Sequence, residues 1–248
     1  MALKLLTLNV EQDRHRDRVR TALATHLPDI VCLQEVLEPE CSVLAEIGGY
    51  EFQYAPMTRV RSGTLNRMEN LTWGIAVLTR IPLQHRKIIY YSDDPELRDF
   101  HQPSDARQVL IATEFEHEGL PHRLMTTHFT WSPDGQFTQE QHTDFQRLKA
   151  ALTAYPDYVL CGDFNAPRGG ALFSLFADEL RLIDHLPASV TTTIDPQFHR
   201  AGALELVVDT IFSTRDYAVN ELEVVEGISD HKGILARVRR NPSHTANR

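Results

Sequence analysis

The chain has 248 residues, of which 42% are hydrophobic and 24% are charged, and its formal net charge is −9. These proportions are typical of a globular protein, and a chain of this length buries a large core without disulfides or a structural metal. The acidic charge argues against a protein that depends on non-specific nucleic-acid binding, which usually requires a basic face, although a local basic groove is compatible with it.

The cysteines and the lengths of the apolar runs indicate the cellular compartment in which the protein is expected. Cys32, Cys41 and Cys161 show neither CxxC spacing nor an even-numbered framework, which favours a reducing environment. The apolar stretch at the N-terminus is too short for a signal peptide, and no run approaches the roughly 20 residues of a membrane helix. We therefore expect a cytoplasmic protein with no membrane span, and no obligate protein partner is evident.

Apolar runs of strand length alternate with amphipathic helical patterns along the chain. Helical periodicity predicts helices over residues 12–26, 138–154 and 170–177. Strands are predicted, in chain order, at 3–8, 30–33, 75–78, 109–112, 124–126, 158–160, 206–212 and 234–238.

The order and character of these elements indicate the fold class. Several strand runs are continuously apolar, which is typical of strands covered on both faces. The first half alternates strand and helix, whereas the later part is strand-dense with tight turns. This mixture favours two packed sheets with helices outside over a doubly wound parallel sheet. No repeat or Gly/Ser-rich linker divides the chain, so we expect one domain over 1–240 and a polar tail at 241–248.

Polar side chains stand at the ends of these apolar strands. A strand needs no carboxylate or amide there for packing, and a single case is usually a solvated strand end. Six such places in one chain indicate an assembled site instead. They are Asn9 ending LKLLTLN, Glu35 ending DIVCLQE, His128 ending RLMTTH, Asp163 and Asn165 after YVLCG, Asp209 within LELVVDTIF, and Asp230 with His231 before GILARV.

Together these motifs resemble the endonuclease/exonuclease/phosphatase superfamily, which includes deoxyribonuclease I, abasic-site endonucleases, inositol polyphosphate 5-phosphatases and neutral sphingomyelinases. The matching stretches occur in family order and span nearly the whole chain. The resemblance implies an α/β fold, a four-layer α/β/β/α sandwich of two packed mixed β-sheets flanked by helices. The stretches are TLNV (7–10), LQEV (33–36), TTH (126–128), GDFN (162–165), VDTIF (208–212) and SDH (229–231).

The resemblance also implies a divalent-metal site for Mg²⁺ or Mn²⁺, hard cations that prefer carboxylate oxygen. Glu35 is the expected principal ligand, and Asp230 the carboxylate on the opposite side of the metal. Asn9 either supplies an amide oxygen or orients the metal's water shell. Glu11 takes the place of a second carboxylate ligand in some members, with a solvated helix-start glutamate as the alternative.

The remaining motif residues receive catalytic roles from the family. Asp163 orients or deprotonates the attacking water, and Asn165 donates its amide to the phosphate. His231 binds a non-bridging phosphate oxygen and stabilises developing charge. Asp209 pairs with this histidine, fixing its tautomer and raising its pKa. Whether Asp163 or His231 is the general base stays open at this point.

Two further positions carry weaker implications. His128 stands where deoxyribonuclease I also has histidine and the abasic-site enzymes have tyrosine, which argues against close kinship with the latter. Arg107 matches a family arginine that reaches the phosphate or organises the site; a surface ion pair is the alternative. Arginine's planar fork suits a two-point phosphate contact.

Substrate choice is expected to lie in loops. The basic loop at 57–71 offers Arg59 and Arg61 to phosphate, or it is simply solvated. Trp131 follows His128 closely and is predicted either to stack on a base or to fill the edge of the core. The acidic stretch at 91–105 would repel a duplex backbone.

The leading hypothesis is therefore a metal-dependent, nuclease-like phosphodiesterase that binds a phosphate-ester substrate, with nucleic acid as one candidate. The alternative is a phosphatase or phosphodiesterase of small or lipid-derived esters, such as inositol phosphates or a sphingomyelin-type head group. A non-catalytic binding module is the least favoured, because pseudoenzymes usually lose ligands and the motif residues are all present.

Overall fold

The computed structural model describes residues 1–60, 71–92 and 96–241, and within them two six-stranded sheets pack face to face. The first sheet has the order β11-β12-β1-β2-β4-β3 and the second β5-β6-β7-β8-β10-β9. The strands are β1 Leu3–Asn9, β2 Ile30–Leu37, β3 Glu51–Val60, β4 Leu71–Thr79, β5 His85–Tyr90, β6 Val109–His117, β7 Leu120–His128, β8 Val159–Asp163, β9 Ile183–Asp184, β10 Asp209–Ser213, β11 Tyr217–Val225 and β12 Gly233–Arg240. The helices are α1 Arg16–His26, α2 Glu38–Gly48, α3 Gln139–Leu152 and α4 Ala171–Asp178.

Three apolar clusters separate four layers. Alternate residues of both sheets, such as Leu5 and Ile111, meet in the core between the sheets. The intervening residues of the first sheet, such as Leu6, pack under α1 and α2. Those of the second sheet pack under α3 and α4, with Phe176 at the centre of the aromatic contacts. Because both strand faces are covered, the strands are continuously apolar, and the predicted α/β/β/α sandwich is confirmed.

Two parallel strand pairs bring the polar strand ends together. β1 lies parallel to β2, so Asn9 pairs with Gln34 beside Glu35. β7 lies parallel to β8 in the other sheet, so His128 pairs with Asp163. Asp163 in turn faces Asp209 on the antiparallel β10. The motif residues thus meet at one edge of the sandwich, half from each sheet.

Several predicted elements differ from those observed. The first helix begins at Arg16 instead of residue 12, because Glu11 and Gln12 adopt left-handed backbone conformations with φ of 47° and 63°. The strand predicted at 206–212 begins only at Asp209. Strands β3, β5, β9 and β11 and helix α2 were not predicted from the sequence. These four strands are the sheet edges, where polar residues and, in β3, Pro56 are tolerated and the apolar pattern weakens.

None of the helices in the described residues has the length and hydrophobicity that crossing a bilayer would require. The division into one domain and a tail remains a prediction, and the tail residues beyond Asn241 lie outside the described part.

Gly162 allows β7 and β8 to lie side by side just before Asp163. Its φ is +143°, and a Cβ at this position would lie 2.0 Å from the carbonyl oxygen of Thr127. That atom belongs to the backbone of the neighbouring strand and cannot move without separating the pair. Glycine here is therefore a requirement of the strand pairing that positions Asp163.

We expect Gly162→Ala to lower the free energy of unfolding by about 2 kcal/mol or more, because both the contact and the backbone angle disfavour a side chain. Chemical denaturation measures the change. Gly233→Ala is the matched control, since the atoms nearest to its Cβ would be side-chain atoms of Leu6 at 3.3 Å, Ile228 at 3.4 Å and Val225 at 3.8 Å. Equal stability losses in the two variants would contradict this account of Gly162.

Candidate active site

The amide of Asn9 connects carboxylates from the two sheets. Its Nδ2 donates to Glu35 Oε1 at 3.3 Å and to Asp163 Oδ2 at 3.1 Å, and its Oδ1 accepts the backbone N–H of Glu11 at 3.1 Å. With its oxygen occupied by the backbone, Asn9 presents its N–H groups to the carboxylates. Of the two roles predicted for this residue, the orienting one matches the geometry.

Glu35 stands at an irregularity in β2, where the pairing with β4 shifts between Leu33 and Val36. Its φ of 54° turns the side chain out of the strand's regular alternation. The carboxylate is partly buried; burial raises its pKa, the charge of His128 opposes that rise, and the charge of Asp230 adds to it. Glu35 and Asp230 are thus close enough to repel each other.

Asp163 is buried at the centre of the site. Its Oδ1 accepts the backbone N–H of Asn165 at 2.9 Å, and its Oδ2 lies 3.5 Å from Nε2 of His128. Asn165 donates its Nδ2 to the carbonyl of Phe129 at 2.9 Å. One N–H of this amide is therefore used structurally, which leaves the other for the phosphate contact that the sequence predicts.

Asp209 and His231 form a buried pair that spans the two sheets. His231 Nδ1 lies 2.9 Å from Asp209 Oδ2 and 3.8 Å from Asp163 Oδ2. Burial alone would lower the pKa of His231, but the carboxylates of Asp209 and Asp163 outweigh burial and raise that pKa well above its usual range. The two carboxylates therefore favour the protonated imidazole, whose Nδ1 is directed to Asp209.

A second group of ligand atoms lies at the mouth of the site. Atoms of Glu11, His15 and Asp230 are all within 4.8 Å of one another. Glu11 also contacts Arg14 at 3.0 Å and His15 Nε2 at 3.0 Å. His15 was not predicted from the sequence; its position four residues after Glu11 was the available signal, but the turn that brings the two side chains together is not a regular helix.

The donor set fits a hard divalent cation. Carboxylates of Glu35, Asp163, Asp209 and Asp230 gather at one edge of the sandwich, and Glu35 and Asp230 repel each other. A buried group of Asp163, Asp209 and His231 also has its ligand atoms within 4.8 Å of one another. Oxygen ligands of this kind suit Mg²⁺ or Mn²⁺.

The outer residues named from the sequence lie in different surroundings. The guanidinium of Arg107 lies 3.8 Å from the centre of the Tyr90 ring and lines a cleft of about 310 Å³. Trp131 is 48% exposed, so it does not fill the edge of the core. Arg59 pairs with Asp99 at 3.0 Å and donates to the carbonyl of Leu97 at 2.6 Å. Arg61 lies outside the described residues.

Comparisons of sequence and of structure each find similar proteins. A sequence model described as "Endonuclease/Exonuclease/phosphatase family" matches residues 6–231, and comparison with curated proteins gives no match. The structure is similar to an endonuclease/exonuclease/phosphatase from Beutenbergia cavernae, with a TM-score of 0.72 and 18% identity over 96% of this chain and 72% of that chain.

Two other solved structures are similar over nearly their whole length. The human nocturnin catalytic domain with a bound sulfate anion has a TM-score of 0.71 and 19% identity over 97% of this chain and 95% of that chain. A mannosyl-6-phosphatase from Bacteroides thetaiotaomicron has a TM-score of 0.71 and 14% identity over 96% of this chain and 100% of that chain. At these identities the similarity shows the fold alone.

We expect Asp209→Asn to lower the pKa of His231 by about one unit or more in the metal-free protein, because the substitution removes the carboxylate that stabilises the imidazolium. An NMR titration of the histidine rings measures the midpoint. His122, whose pKa burial lowers to about 4, serves as the internal reference and should not change. The same His231 midpoint in both proteins would contradict the proposed pairing.

Proposed function

The chain belongs to the endonuclease/exonuclease/phosphatase family, whose members hydrolyse phosphoesters, and on this premise we propose that it is a Mg²⁺- or Mn²⁺-dependent, nuclease-like phosphodiesterase. The observation that carries the proposal is the arrangement of Asp163 between the Asn9 amide and the Asp209–His231 pair. It combines a carboxylate suited to water activation with an imidazolium suited to phosphate binding.

Glu35 and Asp230 would hold the cation, with Glu11 and His15 beside them at the mouth of the site. When bound, such a cation polarises the phosphoryl group and neutralises the charge that develops on its oxygens. The Asn9 amide holds Glu35 and Asp163 at a fixed separation. Glu35 can then bind the metal while Asp163 activates the water.

The raised pKa of His231 supports one of the two general-base assignments that the sequence leaves open. A protonated imidazole cannot accept a proton from water, whereas it donates a strong hydrogen bond to a non-bridging phosphate oxygen through Nε2. We therefore assign the general base to Asp163. Asn165 and His128 flank Asp163 and would contact the same phosphate, and Arg107 would act from the rim.

The substrate is proposed from the surroundings of the site. Exposed Trp131 and the 43%-exposed Phe137 follow His128 and offer flat apolar surfaces to a nucleobase, which supports the nuclease-like assignment. Hydrolysis of small or lipid-derived phosphate esters is the second candidate. This candidate is supported by the net charge of −9 and by the ion pair between Arg59 and Asp99. Both weaken electrostatic binding of a nucleic-acid backbone.

A non-catalytic binding module is disfavoured, because it would not need carboxylates held together against their mutual repulsion. The proposed cytoplasmic location agrees with the three buried free cysteines. Arg61 remains a predicted phosphate contact.

We expect the protein to hydrolyse bis-p-nitrophenyl phosphate with Mg²⁺ or Mn²⁺, and we expect hydrolysis to cease when EDTA removes the metal. His231→Ala should lower kcat by about 100-fold or more, with a smaller effect on KM, because it removes a contact that strengthens in the transition state. Release of p-nitrophenol measures both constants. Replacing His185, which contacts Ser213 away from the carboxylate cluster, is the control.

Absence of turnover by the metal-saturated wild type on any phosphate ester would overturn the proposed function. A panel of single- and double-stranded DNA, RNA, abasic DNA, 5′-tyrosyl DNA, inositol phosphates and sphingomyelin separates the two candidates. Activity on a nucleic acid that falls steeply with salt supports the first, because only that substrate releases many counterions. Salt-insensitive turnover confined to the small or lipid esters supports the second.

A further inference from the structure

A short segment at 192–195 contacts the backbone beside both residues of the Asp209–His231 pair. It forms an isolated antiparallel bridge in which Ile194 faces His231. On its other side it meets the residues that lead into β10, where Asp209 begins the strand. The segment belongs to neither sheet, yet it contacts the chain beside a site residue from each of them.

Thr193 makes the contacts on the Asp209 side. Its side chain is fully buried, and its Oγ1 accepts the backbone N–H of Val208 at 3.1 Å and that of Asp209 at 3.2 Å. Its own N–H donates to the carbonyl of Leu206 at 2.9 Å. These bonds give the chain just before β10 partners in the segment, outside the strand pairing that begins at Asp209.

The backbone of the same segment holds the His231 side. The carbonyl of Thr193 accepts the N–H of Lys232 at 2.7 Å, and the N–H of Asp195 donates to the carbonyl of Asp230 at 2.8 Å. His231 is therefore held between two backbone bonds from the segment, one to each of its chain neighbours. Among the four residues of the segment, Thr193 is the one that bonds both to the backbone at Val208 and Asp209 and to the backbone of Lys232.

We propose that Thr193 is a positioning residue of this site, fixing the distance and angle of the Asp209–His231 pair across the two sheets. The inference rests on the proposed function, since it concerns how that chemistry is oriented. Its physical basis is that two buried N–H groups beside Asp209 need an acceptor, and the threonine hydroxyl supplies it. Without the hydroxyl, the backbone at Asp209 moves to find another partner, and the carboxylate moves with it.

Three variants test the role. Thr193→Val keeps the shape and removes the acceptor, and Thr193→Ser keeps the acceptor and removes a methyl. Thr192→Val is the matched control: its hydroxyl accepts the N–H of Ile194 and donates to the carbonyl of Leu204, in the same segment but away from Asp209. If the valine variant does not fold, Thr193→Ala compared with Thr193→Ser isolates the hydroxyl.

Two readouts are measured on each folded protein. The first is kcat and KM for bis-p-nitrophenyl phosphate with saturating Mn²⁺. The second is the ring ¹⁵N and Nδ1 proton signals of His231 by NMR in the metal-free protein, which do not require turnover. We expect Thr193→Val to lower kcat roughly tenfold to a hundredfold, with KM changed less than about twofold, and to shift the His231 signals. Thr193→Ser and Thr192→Val should resemble the wild type in both.

Equal losses of kcat in the valine variants of Thr192 and Thr193 would overturn the proposal, because they would show a general requirement for the segment. Unchanged His231 signals in Thr193→Val would overturn it as well. A wild type without turnover would remove the proposed function alone; the NMR comparison would then still decide whether Thr193 positions the pair.

Discussion

The site depends on holding like charges together across two sheets. Glu35 comes from the first sheet and Asp163 from the second, and the Asn9 amide donates to both at 3.3 and 3.1 Å. The His231 imidazolium offsets the negative charge from the side of Asp209. The Asn9 amide and the His231 imidazolium thus keep in place carboxylates that would otherwise repel one another. A bound divalent metal ion would relieve the repulsion that remains.

The rest of the fold serves that arrangement. Parallel pairing of β1 with β2, and of β7 with β8, brings strand ends of both sheets to the same edge of the sandwich. Gly162 allows the second of these pairs to approach closely, and the segment containing Thr193 ties β10 to the turn before β12. Gly162 directly precedes Asp163, and Thr193 accepts the backbone N–H of Asp209, so a small backbone shift at either position would move a site carboxylate.

The sequence predicted the layered fold and the members of the site because covered strands are continuously apolar, and a polar residue that ends such a run stands out. Edge strands such as β3 and β11 lack that contrast, since one edge faces solvent. His15 and Thr193 were missed for another reason: they reach the site through a left-handed turn and an irregular segment, which have no periodicity. The engagement of Arg59 with Asp99 joins residues forty positions apart, and spacing alone could not show it.

We propose that Glu35 and Asp230 hold the divalent cation, and Mn²⁺ titration calorimetry of the wild type and of Glu35→Gln is the most direct test. Glu38→Gln is the control, because it alters an exposed carboxylate at the start of α2 that accepts from the Thr72 hydroxyl at 3.1 Å. We predict that Glu35→Gln weakens Mn²⁺ binding by about tenfold or more, whereas Glu38→Gln binds Mn²⁺ as the wild type does. Equal Mn²⁺ affinity in all three proteins, or no binding by the wild type, would contradict it.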